Sequence, residues 1–218
     1  MSAPVFVAGH SLGGARAQLY GWSRVRRGLR VDGVYAFGPP NPGNLRVTQD
    51  YAYALARGML GISLKNQRDL VTDVPVDLKN FGEEYVQPWP LLEINQPGAP
   101  LDPWLLLRDH HIELYQAGVY KLPAVDAAVG LNEAVDAVAR LYQTADGWDW
   151  LSPVDGAWWA IRVFPNGAKL AIARGSTTGK DWLDDFDAVQ VPVLGARVSA
   201  GFWSGVAAAS DALDAQLA

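Results

Sequence analysis

Residues 5–14 read VFVAGHSLGG, and no other stretch constrains the chain as tightly. The apolar run Val5–Ala8 leads into Gly9-His10-Ser11-Leu12-Gly13, and a helix-compatible segment follows from Gly14. The G-x-S-x-G spacing gains its meaning from that setting, with a strand before and a helix after. A turn this sharp brings backbone against the positions two residues either side of the serine, where a Cβ has no room. It lifts the Ser11 hydroxyl above the carboxyl edge of a sheet and aims the free N–H groups of the helix start at the same place. Ser11 is the candidate nucleophile; the alternative is a structural serine in a tight turn.

The rest of the chain reads as alternating elements. Residues 14–27 place Leu19, Trp22 and Val25 on one stripe of a helix that ends in a basic turn. Val31–Phe37 is a strand, Leu45–Arg57 a helix and Ile62–Lys65 a short strand, with NQRDLVTDVP as the loop beyond it. This rhythm means a largely parallel sheet with helices on its faces. Residues 85–102 are interrupted by proline and fit an edge strand and loop. Asp109 is placed to cap a helix opening at His110-His111. Residues 123–143 read as one or two helices with Val135, Val138, Leu141 and Tyr142 on one face. Ala157–Phe164 and Ala168–Ala173 flank Pro165-Asn166-Gly167 as a hairpin. Ser199–Ala218 reads as a final helix buried through Phe202, Val206, Ala209, Leu213 and Leu217.

Half of the 218 residues are apolar, enough for one domain with a full core. The absence of cysteine excludes disulfides and thiolate metal sites. A net charge of −5 argues against nucleic acid as a partner. No apolar run is long enough to span a bilayer, and no secretory leader precedes Pro4, so a cytoplasmic location is the default expectation. No cofactor and no metal is expected.

A serine at its free pKa is a poor nucleophile and needs a base, which in turn needs an orienting acid. The chain has three histidines. His10 adjoins Ser11 within the turn, where its ring points away from the hydroxyl, so the base is His110 or His111. The acid precedes the histidine in chain order on this kind of sheet. Asp69 and Asp73 both follow the Ile62 strand. Asp69 lies nearer the strand end and is followed by apolar Leu70 and Val71, whereas Asp73 fits a solvated loop carboxylate. One oxyanion donor is the backbone N–H of Leu12, and a second has no source upstream of the turn.

At these residues the chain resembles the class 3 lipases, a family of fungal triacylglycerol lipases, feruloyl esterases and plant lipid acylhydrolases. GHSLGG resembles the family's elbow, Tyr35-Ala36-Phe37-Gly38-Pro39 with Pro42-Gly43-Asn44 resembles its YTFG-x-P-RVGN stretch, and Asn66–Pro75 is similar to its acid loop, with Asp69 at the aspartate. His110-His111-Ile112-Glu113-Leu114-Tyr115 resembles the plant and bacterial H-x-L-E-x-Y signature, which favours His110; the fungal spacing favours His111. The family's N-terminal motifs then appear late. Ala173-Arg174-Gly175-Ser176 resembles its F-R-G-(S/T), Asp181–Phe186 its W-(L/I)-x-(D/N)-(L/F), and Val198–Phe202 its V-H-x-G-F, with Ser199 in place of histidine.

The resemblance implies a circularly permuted α/β-hydrolase, a three-layer sandwich with a mostly parallel central sheet. Residues 1–117 correspond to the family's C-terminal half and 157–218 to its N-terminal half, with 118–156 connecting them. It implies a Ser11-His110-Asp69 triad, oxyanion donors at Leu12 and Ser176, and a lid carrying Trp182, Leu183 and Phe186. The implied partner is a small-molecule or lipid ester, with contact at a lipid interface. Trp89, Trp104, Trp148 and Trp150 could line an aromatic-ester cleft, though packing is the simpler reading of each. A hydrolase fold kept as an idle binding or structural module is the alternative function.

Overall fold

The computed structural model describes residues 2–67, 69–75, 85–96, 109–154, 157–175 and 189–218. Its centre is β1 (Val5–His10), buried along its whole length. Parallel neighbours enclose it, β2 (Gly33–Phe37) on one side and β7 (Lys169–Ala173) on the other. Strands β3 (Leu60–Asn66) and β4 (Leu91–Ile94) continue the parallel set to one edge. On the other flank β6 (Ala157–Val163) and β5 (Trp150–Val154) run antiparallel, giving the order β4-β3-β2-β1-β7-β6-β5.

Alternation along the strands sorts the core into two layers, as a period of two requires. Val5, Val7, Trp159, Ile161, Ala171 and Ala173 face one layer, and Phe6, Ala8, Ala160, Leu170 and Ile172 face the other. The first layer is closed by α1 (Leu12–Arg26), α2 (Leu45–Ala56), α5 (Ala200–Ala207) and α6 (Ser210–Leu217). The second is closed by α3 (Ile112–Val119) and α4 (Leu131–Gln143). A mixed α/β molecule with a large, mostly parallel sheet and helices on both faces has the layering of the α/β-hydrolase fold. Among the described residues, no helix is long and apolar enough to cross a membrane.

Several elements differ from the sequence reading. Helix α1 is enclosed on every side from Leu12 to Arg24 rather than along one stripe. It lies between the sheet and the outer helices α2 and α5, and a Cβ on its Gly21 would come within 2.7 Å of both Tyr51 Oη of α2 and Val34 Cγ2 of β2. Asp109 does not cap α3: the N-cap position is His111, and the Asp109 carbonyl instead accepts from Asn66 Nδ2 at 3.1 Å. The 123–143 stretch is helical only from Leu131, after the Gly130 N-cap. The last segment breaks into two helices at Ala208–Ala209, yet the five expected core residues stay buried across the break. A hairpin of β8 (Gln190–Val193) and β9 (Ala196–Ser199) precedes them.

Candidate active site

In a parallel sheet the loops after the strands gather at one edge, and here four of them do so. The turn after β1 carries Ser11, the turn after β2 carries Gly38, the loop after β3 carries Asp69, and β7 runs out into Arg174 and Gly175. The register pairs Gly9 with both Ala36 and Ala173, which puts these strand ends side by side.

Ser11 has φ 59° and ψ −134°, a conformation that residues with a Cβ rarely adopt. Its N–H donates to the Phe37 carbonyl at 2.9 Å, which pins the turn to the end of β2. The elbow glycines are there for space, as expected. A Cβ on Gly9 would lie 2.1 Å from the Gly13 carbonyl oxygen, and one on Gly13 would lie 2.2 Å from the Ala173 carbonyl oxygen. Helix α1 starts at Leu12, and the Gly14 and Ala15 N–H groups already donate to the Ser11 carbonyl at 2.8 and 3.3 Å, so only the leading N–H groups, those of Leu12 and Gly13, lack an intrahelical acceptor.

Asp69 is completely buried, more so than the partial burial its apolar neighbours imply. It caps a short 3₁₀ turn, Leu70–Asp73, by accepting from the Val71 N–H at 3.0 Å through Oδ1. Its Oδ2 accepts from His110 Nδ1 at 2.7 Å and from the Tyr115 hydroxyl. Burial, followed by the Asp69 charge, pushes the Tyr115 hydroxyl well above its ordinary pKa, so it remains a donor. That hydroxyl also accepts from the Asn66 N–H at 3.1 Å. Asp73, in contrast, faces out and pairs with Lys65 at 2.8 Å.

His110 is buried, and donating from Nδ1 leaves its Nε2 as the basic nitrogen. That Nε2 has no hydrogen-bond partner among the described residues. His111, the alternative, is exposed at the start of α3. Gly38 makes room for the pair. It has φ 55°, and a Cβ there would lie 2.8 Å from Asp69 Oδ2 and 3.0 Å from His110 Cε1.

The His10 ring does not idle in solvent. It stacks on the His110 ring at 4.6 Å between centroids, and its Nε2 lies 2.7 Å from the His110 carbonyl oxygen. Burial, reinforced by the neighbouring His110 and His111, holds its pKa well below the ordinary 6.5, so the ring is neutral. Gly175 backs onto the elbow: a Cβ there would lie 2.7 Å from the His10 carbonyl oxygen and 2.9 Å from Ser11 Cβ. A buried carboxylate, an imidazole bonded to it and a strained serine thus share one corner, the parts from which acyl transfer is built.

Residues 2–79 match the family model of the class 3 lipases. That span holds Ser11 and Asp69, while His110 and residues 157–218 lie beyond it. No curated protein and no solved structure gives a match to the chain.

Ser176 and the residues expected to form a lid, Trp182, Leu183 and Phe186, fall outside the described residues, as does Trp104. Trp89 packs edge-on against Tyr51 in the core, and Trp148 lies beneath the Arg140 guanidinium. Sequence reasoning gave no role to Tyr115, Asn66, Gly38 or Tyr142. Tyr115 was within reach of it, because it stands at the end of the histidine signature. Tyr142 had no local signal, since its polar partners are His10 and Gly175 on other elements.

Proposed function

We propose that the protein is a serine carboxylic-ester hydrolase of the lipase and esterase type. Ser11 attacks the ester carbonyl. His110 Nε2 takes the hydroxyl proton and returns it to the leaving alkoxide, and Asp69 fixes the imidazole and stabilises its charged form. Water then attacks the acyl-enzyme by the same route in reverse. The Leu12 N–H and Ser176 hold the oxyanion. The motif order is that of a class 3 lipase in permuted form, and the substrate class is a lipid or long-acyl ester, met at an apolar interface through Trp182, Leu183 and Phe186.

The observation that carries this reading is the unpartnered Nε2 of a buried histidine, whose other nitrogen is tied to a buried carboxylate, in the corner that holds a strained Ser11. The approach of Gly175 to Ser11 supports Ser176, the next residue, as the second oxyanion donor. The match over residues 2–79 supports the reaction class.

The test is reaction with a fluorophosphonate probe and hydrolysis of p-nitrophenyl esters of graded chain length. The expected result is labelling at Ser11, with Ser11→Ala lowering kcat by about 10⁴-fold or more. A folded protein that neither labels nor hydrolyses any ester in the panel would be an idle module, and the reading would be wrong.

A further inference from the structure

We propose that His10 and Tyr142 are positioning residues, which hold His110 and Gly175 in one geometry through an unbroken hydrogen-bonded chain. The inference rests on the hydrolase reading of Ser11 and His110, and it assigns work to two side chains which that mechanism does not use.

The direction of every proton in the chain is fixed by chemistry. The His110 carbonyl can only accept, so the His10 nitrogen 2.7 Å away, Nε2, carries the proton. A neutral imidazole protonated at Nε2 offers a lone pair at Nδ1. Tyr142 Oη lies 3.1 Å from that Nδ1 and donates to it. The Gly175 N–H can only donate, and it does so to the same Tyr142 Oη at 2.9 Å. The other acceptor near this hydroxyl, the His10 carbonyl, is farther away at 3.5 Å. Burial raises the Tyr142 pKa above its ordinary value, which keeps the hydroxyl protonated as the chain requires.

The chain therefore runs from the Gly175 N–H through Tyr142 and His10 to the His110 carbonyl. It joins the end of β7, the end of α4, the end of β1 and the segment before α3. Gly175 precedes the oxyanion residue Ser176, and His110 carries the base. The two halves of the machinery that must meet the same substrate carbonyl are thus tied through one hydroxyl and one ring. Small errors in such an alignment are expensive in rate, because reacting groups must be held near their attack geometry.

Tyr142→Phe tests this, since it keeps the ring that packs edge-on against His10 at 5.7 Å and removes only the hydroxyl. The expected result is a fall in kcat for p-nitrophenyl butyrate of about 10- to 100-fold, with KM changed less than about two-fold. His10→Gln, whose side-chain amide can still donate to the His110 carbonyl, should retain more kcat than His10→Leu. Nitrogen-15 spectra of the imidazoles should show His10 as the neutral Nε2–H tautomer in the parent, and as a mixture of tautomers in Tyr142→Phe. Unchanged kcat in Tyr142→Phe, beside a parent that labels at Ser11, would overturn the positioning role and leave the hydrolase reading standing. A mixture of tautomers in the parent would overturn the chain itself. A parent that fails to label would overturn both.

Discussion

At the scale of single residues, the site depends on side chains that are missing as much as on those present. Gly38 lies beneath the Asp69–His110 pair with a left-handed φ and no space for a Cβ. Gly38→Ala should cost about 1–3 kcal/mol through backbone strain alone. It should also displace Asp69 or His110, so the loss of kcat should exceed what reduced folding explains. Urea midpoints and kcat, measured on the same preparation, separate the two effects. The buried neutral His10 makes a second prediction, about pH. Its folded-state pKa lies well below the unfolded value of 6.5. Below that pH the unfolded chain binds a proton that the folded chain refuses, so acid favours unfolding. The stabilisation is complete above about pH 6.5 and is lost as the pH falls toward the folded pKa, by up to about 1.4 kcal/mol per pH unit. Parent and His10→Gln, unfolded in urea at several pH values, should diverge in this window and run parallel above it. Parallel curves throughout would mean that His10 titrates normally in the folded protein.

At the scale of elements, what could be read from sequence was what local pattern controls. The elbow, the strands on either side of it and the Asn166-Gly167 hairpin turn are set by residues within a few positions of one another, and they formed as expected. The extra burial of α1, the break between α5 and α6 and the true start of α3 come from packing between distant segments, which leaves no local periodicity. Arg24 shows the difference. In the sequence it belongs to a basic turn suited to a helix end. In the fold it is buried and bonds to Asp214 of α6 at 2.5 Å, and the Tyr20 hydroxyl donates to the same carboxylate at 2.7 Å. Removing one partner from such a pair strands a buried charge. Asp214→Ala should therefore lower stability by about 3 kcal/mol, at the low end for a buried pair because Asp214 is partly exposed. Replacing the buried members together, as Tyr20→Phe, Arg24→Met and Asp214→Leu, should recover most of that loss, because Arg27, which also pairs with Asp214 at 2.5 Å, is half-buried and can turn to solvent. Equal urea midpoints for Asp214→Ala and the parent would show that α6 is not anchored there.

At the scale of the whole molecule, the question is whether the order of the chain matters to the sheet. The candidate acid and nucleophile come from the early strands, and Gly175 comes from β7, which pairs with β1 although the two are far apart in sequence. This pairing could be inferred only through the family resemblance, because periodicity says nothing about which strands become neighbours. Lys169 on β7 touches both extremes of the described chain. Its N–H donates to the Pro4 carbonyl at 2.8 Å, and its Nζ donates to the Gln216 carbonyl at 2.9 Å and the Ala218 carbonyl at 3.2 Å. One lysine side chain therefore bridges the gap, and a linker of about five residues, at about 3.4 Å each, spans it without strain. The stretch around Pro123 and Ala124 is exposed and outside any helix or strand, the kind of place where an opened chain loses little. A chain joined from Ala218 to Ser2 through such a linker and opened between Pro123 and Ala124 would, under the proposed permutation, carry the motifs that resemble the class 3 lipases in that family's order. If sheet pairing rather than connectivity defines this fold, it should melt within a few degrees of the parent and react with a fluorophosphonate at a similar rate. A relinked protein that folds but no longer reacts would show that the present chain order is itself part of how the site is held together.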